Sequence, residues 1–337
     1  VAENQKLSGY YMKLAANNGD LQSQLDYASM LELGDCVQQN YKDAAKYYKA
    51  AAQQNDKNAQ FIYGCFLEEG KGVQKNLIEA IKYFRLAANQ GHFQSQFKLA
   101  TLLDNYESSK YMKMAADAGD AKAQTLYAQM LFQGKNVKID KEMGLKYINL
   151  AIEQKYKDAY YLYGSMLYYE LKKYKEGLYY IKSASDLGNV DALFLYGIII
   201  GHFDFKIEGS PFKNVNIKYS DDKNFSDWPL LDGDGISLRE IQQAPKYIKE
   251  AADKNNHEAQ YFYGLMLQYG ESVKQNISEA AKYFKLAADG GNTYAQLSYA
   301  LLLDDGNGIS QNIREAAKYY KLAADNGEIN SQVTYGL

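Results

Sequence analysis

The amino-acid sequence predicts an all-α protein, a right-handed α/α superhelix (solenoid) of about nine 36-residue helix–turn–helix repeats. Three observations predict it. First, a nine-residue phrase recurs: YMKLAANNG from Tyr11, YYKAAAQQN from Tyr47, YFRLAANQG from Tyr83 and YMKMAADAG from Tyr111. It returns from Tyr147, Tyr180, Tyr247, Tyr283 and Tyr319, with successive spacings of 36, 36, 28, 36, 33, 67, 36 and 36. Self-similarity at such a period is the mark of a stacked-repeat architecture. Second, proline is scarce. The 337 residues hold three, all between Pro211 and Pro245, where ordinary usage of ~5% would give about 17. The rest of the chain is therefore helix-permissive. Third, each copy carries two stretches with apolar residues at helical spacing.

The copy from Asp56 shows the elements in order. Helix A carries Ala59, Tyr63, Gly64 and Leu67 along one stripe. A glycine turn, GKGVQKN (Gly70 to Asn76), follows. Asn76 with Glu79 three residues on is a capping signature that opens helix B, and it recurs at Asn40/Asp43, Asn276/Glu279 and Asn312/Glu315. Helix B places Ala80, Tyr83, Phe84, Ala87 and Ala88 on one face and stops at Gly91, where glycine supplies a left-handed residue. Small residues at Gly64, Ala87 and Ala88 allow the two helix backbones to approach closely. One such pair buries too little apolar surface to offset the entropy of ordering it, so the copies must stack. Tyr27, Tyr63, Tyr127, Tyr163, Tyr196, Tyr263, Tyr299 and Tyr335 form one core column, and Tyr47, Tyr83, Tyr147, Tyr247, Tyr283 and Tyr319 another. These columns account for much of an unusual total of 33 tyrosines. The chain opens within a helix B and closes at Leu337 within a ninth helix A, which leads us to expect a longer array.

Departures from the period are localised. The 28-residue spacing arises at Thr101 to Lys113, and the 33-residue spacing at Tyr168 to Gly177. The 67-residue spacing marks an insertion. The expected organisation is therefore repeats over 1–200, an insertion in an A–B turn over 201–243, and repeats again over 244–337. The insertion holds Trp228, Phe225, Pro211, Pro229 and the string Asp232 to Gly235. A calcium loop does not fit that string, because Leu230 would occupy the first ligand position and Glu240 falls one residue short of the twelfth. Phe225 and Trp228 are candidates for packing onto the solenoid or for contacting a partner.

The motif A-x-x-x-[YL]-[GA]-x-x-[LI]-x-x-G-x-G-V-x-x-[ND]-x-x-[ED]-A-x-K-Y-[YF]-x-x-A-A-x-x-G resembles the Sel-1-like repeat family, a relative of the tetratricopeptide repeats. The 36-residue period, the paired alanines before glycine and the missing terminal proline separate it from the 34-residue tetratricopeptide pattern. The resemblance covers nearly the whole chain. It implies a non-catalytic adaptor for other proteins, as in degradation ligases, cell-wall synthase activators, virulence factors or the arms of kinases. The branch with a disulfide in each repeat is not matched, since the chain has two cysteines, Cys36 and Cys65.

Where a partner would bind follows from the helix A residues that the core stripe leaves unused. By analogy with relatives, A helices line the concave face. The column through Phe61 reads Leu25, Phe61, Phe97, Thr125, Tyr161, Phe194, Tyr261, Leu297 and Val333, apolar or aromatic at every position but one. Glu68, Glu69, Asp304 and Asp305 form acidic margins. This pattern fits an apolar groove that accepts an extended or helical peptide with basic flanks. It equally fits packing between adjacent A helices. Alternatives in function are a regulatory arm of a larger enzyme such as a protein kinase, or a part of a cytoskeletal or ubiquitin-ligase-type assembly.

Several classes are disfavoured. Lys plus Arg number 38 against 41 Asp plus Glu, a net charge of −3, so no basic face for nucleic acid is expected. No stretch approaches 18 consecutive apolar residues, so no membrane insertion is expected. The best run, Leu193 to Phe203, fits a buried helix. No nucleophile, phosphate-loop or metal motif occurs, and His92, His202 and His257 are scattered; we expect no enzyme activity, no cofactor and no metal. Two cysteines make no disulfide framework, which points to a reducing compartment, the cytoplasm. Asn224 and Asn276 stand in glycosylation triplets, as chance allows in an Asn-rich chain.

Overall fold

The computed structural model describes residues 2–201 and 238–327. Among these residues every regular element is a helix. They fall into two compact units, Val1–Gln154 and Lys155–Leu337. In the first unit α1 (Ala2–Asn17), α3 (Tyr41–Gln53), α5 (Leu77–Asn89), α7 (Tyr106–Asp117) and α9 (Lys141–Glu153) are B helices. They alternate with the A helices α2 (Leu21–Leu33), α4 (Lys57–Glu69), α6 (Phe93–Leu102) and α8 (Ala121–Gln133). In the second unit the A helices are α10 (Lys157–Ser165), α12 (Val190–Ile200), α15 (His257–Tyr269) and α17 (Thr293–Asp305). The B helices are α11 (Tyr174–Asp186), α14 (Ala244–Asp253), α16 (Ile277–Asp289) and α18 (Ile313–Asp325), and α13 (Leu238–Ile241) is a single turn before α14. Phe225 and Trp228 lie outside the described residues, as do Val333 and Tyr335.

Each boundary has a chemical cause. B helices open on Asn40, Asn76, Asn276 and Asn312, whose side-chain oxygens accept the amide of the residue three positions on. The geometry differs from a reciprocal capping box in one respect. The amide of Asn76 donates to the Leu67 carbonyl at 2.8 Å, as that of Asn276 does to Leu267, so the cap also ties helix B to the end of helix A. A helices α2, α4, α8, α15 and α17 end on left-handed glycines: Gly34, Gly70, Gly134, Gly270 and Gly306. All nine positions that close helix B have positive φ, including Asn55, Lys155 and Asn255 where glycine is replaced. A side chain added at Gly91 or Gly291 would meet nothing within 4 Å. The glycines are therefore there for backbone freedom, not for space.

Space is the reason for other glycines. A Cβ at Gly64 would stand 2.5 Å from the Phe84 ring, and one at Gly264 would stand 2.6 Å from Phe284. Both phenylalanines are fully buried. Across the same A–B interface seven tyrosine pairs meet edge to face, from Tyr27–Tyr47 (5.0 Å between centroids) and Tyr63–Tyr83 (4.8 Å) to Tyr299–Tyr319 (5.0 Å). Such pairs add roughly 0.5–1.5 kcal/mol each beyond area burial. The two predicted tyrosine columns are thus two sides of one interface, repeated.

The irregular copies are accommodated inside the helices. α6 has 10 residues where α4 and α8 have 13, and it lacks the left-handed glycine cap. At the 33-residue spacing α10 runs into a π turn, Met166–Glu170, and left-handed Lys172 replaces the glycine turn. α12 is apolar on every side, and Ala192 to Ile200 are all buried. Its Leu195, Tyr196 and Ile199 join a core with Tyr168 and Ile181, while Leu193, Phe194 and Ile198 join one with Ile248 and Phe262. Pro245 sits in the first turn of α14, where its missing N–H costs nothing.

Candidate functional site

The A-helix column is neither core nor free surface. Leu25, Phe61 and Phe97 in the first unit, and Tyr161, Tyr261 and Leu297 in the second, are half-buried. Thr125 and Phe194 are buried, Phe194 against Phe262 at 6.1 Å. Several column residues lean on the start of the following A helix. Phe61 lies 4.8 Å from the His92 ring, Tyr261 stacks 6.1 Å from Tyr294, and Lys122 Nζ stands 5.0 Å over the Phe97 ring. In the adjacent column Cys65 is half-buried and Leu301 is exposed.

The acidic margin is partly engaged. Glu68 is paired with Lys98 at 2.8 Å. Glu32 is paired with Lys71 at 2.7 Å and accepts from the Tyr48 hydroxyl at 2.9 Å. Burial, with that bond to Glu32, pushes the Tyr48 hydroxyl well above the ordinary tyrosine range. Asp304 accepts from the Tyr320 hydroxyl at 3.3 Å, whereas Glu69 and Asp305 are exposed. Burial pushes the Cys65 thiol up to about 11, so it is protonated at neutral pH and a poor nucleophile. Among the described residues no three His, Cys, Asp or Glu side chains are grouped to hold a metal ion, and no helix is long and apolar enough to cross a membrane.

A second recurring feature escaped the sequence analysis. The second residue of the Ala-Gln or Ser-Gln pair in helix A is buried: Gln24, Gln60, Gln96, Gln124, Gln260 and Gln296. Each donates from Nε2 to a carbonyl eight residues back, in the last turn of the preceding helix B, as Gln60 does to Ala52 and Gln296 to Ala288. In four of the six, Oε1 in turn accepts from the residue that caps the end of the next helix B: Gln54 to Gln24, Gln90 to Gln60, Gln154 to Gln124, and Asn326 to Gln296. A carboxamide ladder thus fixes the register of neighbouring repeats. Its signal was the pair Ala59-Gln60, recurring at the repeat period.

A family profile, the Sel1 repeat, matches residues 1–20, 21–56, 57–92, 104–120, 121–156, 157–189, 257–292 and 293–328. The chain belongs to the Sel1 repeat family. The unmatched stretches contain the shortened α6 and the segment from α12 through α14, where the Sel1 pattern is most altered. Among solved structures the chain is similar to a protective antigen of uropathogenic Escherichia coli displaying an SLR fold. That match has 21% identity and a TM-score of 0.54, and covers 98% of this chain and 74% of the other. A Sel1 repeat protein from Oxalobacter formigenes is similar at 22% identity and TM-score 0.54, over 99% of this chain and 80% of its own. These likenesses show the fold. No curated protein matches the chain. Sel1 repeats generally mediate contacts between proteins, and their fold is typically a non-catalytic scaffold.

Proposed function

We propose that this Sel1 repeat chain is a non-catalytic scaffold in which each unit holds a segment of a partner protein against its own A-helix face. The docking residues are Leu25, Phe61 and Phe97 in the first unit and Tyr161, Tyr261 and Leu297 in the second. The observation that carries this reading is their shared half-burial at one place in successive A helices. Apolar side chains left partly in water gain about 25 cal/mol per Å² when a ligand covers them. A peptide with basic flanks suits Glu69 and Asp305, whose carboxylates are exposed. Cys36 and Cys65 are free thiols, which fits a reducing compartment such as the cytoplasm.

The test is serine substitution of Phe61, Phe97 and Tyr161, read against both capture of partners and melting temperature. Loss of partner with unchanged melting supports docking on this column. A large fall in melting temperature with partner binding retained in the folded fraction would assign it instead to packing between A helices.

A further inference from the structure

We propose that the α6–α7 repeat is a weak link built into the first unit, one that opens as the pH falls below neutral, with His92 as its trigger. Four observations converge on it. His92 stands where Asp20, Asp56 and Asp120 cap their A helices, and its Nδ1 accepts from the Ser95 amide at 3.3 Å and meets Ser95 Oγ at 2.9 Å. An imidazole can do this only while Nδ1 is unprotonated, whereas a carboxylate cap works throughout the neutral range. α6 is three residues shorter than α4 and α8, so it has less packing with which to survive the loss. Gln96, which begins the next rung of the ladder, has a buried Oε1 with no partner. The cause is Ala118, which occupies the position of Gln54, Gln90 and Gln154 and offers no donor. Arg85 on α5, beside this repeat, reaches Glu107 through one nitrogen while its buried Nε has no partner.

The charged groups that act on His92 are Lys57 of α4 and Asp56, the residue that caps it. Burial first, then Lys57, favours the neutral ring, and Asp56 opposes them. The folded state therefore prefers unprotonated His92 more than the unfolded chain does. The stability it contributes is present above the ordinary histidine value near 6.5 and is lost as pH falls through the lower folded value. The ring also lies against Phe61, so opening here would alter the A-helix column beside it.

The test is amide exchange on the whole chain at pH 7.5 and pH 5, corrected for the chemical step. Protection of α6 should fall by about fivefold more than that of α4 or α8, the effect of losing one cap. In His92→Asn the difference should vanish while the fold persists, because Asn292 caps α17 in the same way. Ala118→Gln should raise α6 protection at both pH values by giving Gln96 a donor. Equal pH responses in α6 and α8, a response that survives His92→Asn, or an unchanged α6 in Ala118→Gln would each overturn the proposal.

Discussion

Replacing Gln60 by methionine, and separately Gln96 by methionine, places the same change in adjacent repeats with opposite expected costs. Gln60 is fully used. Its Nε2 donates to Ala52 at 3.4 Å and to Asn55 Oδ1 at 3.1 Å, and its Oε1 accepts from Gln90 at 2.8 Å. At ~1 kcal/mol per net hydrogen bond the loss approaches 3, and methionine packing returns part of it, leaving about 2 kcal/mol. Gln96 makes one of these bonds, to Ala88 at 3.2 Å, and buries an unpartnered oxygen. Removing that oxygen relieves a desolvation penalty of roughly 1–3 kcal/mol against a loss of about 1, so the change should be neutral or stabilising. Urea unfolding followed by circular dichroism gives the difference, and amide exchange over α4 and α6 shows whether it is local. Equal losses at the two sites would refute the ladder as an energetic feature and reduce it to incidental geometry.

Other consequences follow from the same interfaces. Gly264→Ala must displace the buried Phe284 ring and should cost about 2–3 kcal/mol. Gly291→Ala has open space and φ +91, so it should cost only about 1 in the same denaturation assay. Lys155 holds a left-handed conformation, so Lys155→Gly should stabilise the fold slightly in the same assay, by about 0.5 kcal/mol once the extra freedom of unfolded glycine is counted. Burial works against the charge on Asp253, but bonds from Lys249 and Tyr283 hold its carboxyl below the ordinary range. Its contribution is therefore present above about pH 3.9 and lost as pH falls through the lower folded value. Asp253→Asn should cost at most about 1 kcal/mol at pH 7, since the carboxylate is half-exposed, and progressively less as pH falls below about 3.9 through the lower folded value, read by urea unfolding across that range.

The architecture was legible because its determinants are local and repeated. Asn76, Gly70 and Gly91 each act within a few residues, so their meaning can be read along the chain, and the nine helix-stop positions kept positive φ even where Asn55 or Lys155 replaced glycine. Most of the tyrosine columns were legible as core because their period matched the helix, though Tyr83, Tyr163 and Tyr247 are half-buried. Their pairing across the A–B interface was not, since it depends on a rotation of two helices that no spacing encodes. Sequence periodicity places the A-helix column on one helix face but cannot separate a half-buried ring from a free one; Phe194 is core because α12 is enclosed between two clusters. The glutamines stayed hidden for a chemical reason. A polar residue on an apolar stripe looks like surface until the carbonyl eight residues back is seen to need a donor.

Repeats that depart from the pattern show how a solenoid keeps its register. At Gly290 the ladder glutamine is missing, yet Gln260 is not left unsatisfied, because His257 Nδ1 lies 3.0 Å from its Oε1. A Cβ at Gly290 would collide with that imidazole, so the loss of one side chain opened the room that the other now fills. At Ala118 the same loss has no such compensation, and Gln96 keeps an orphaned oxygen. Because each repeat touches only its neighbours, such a defect is not diluted over a large core but remains where it arose. Local stability in this chain should therefore follow the completeness of each rung, with the lowest protection where a substitution went unanswered.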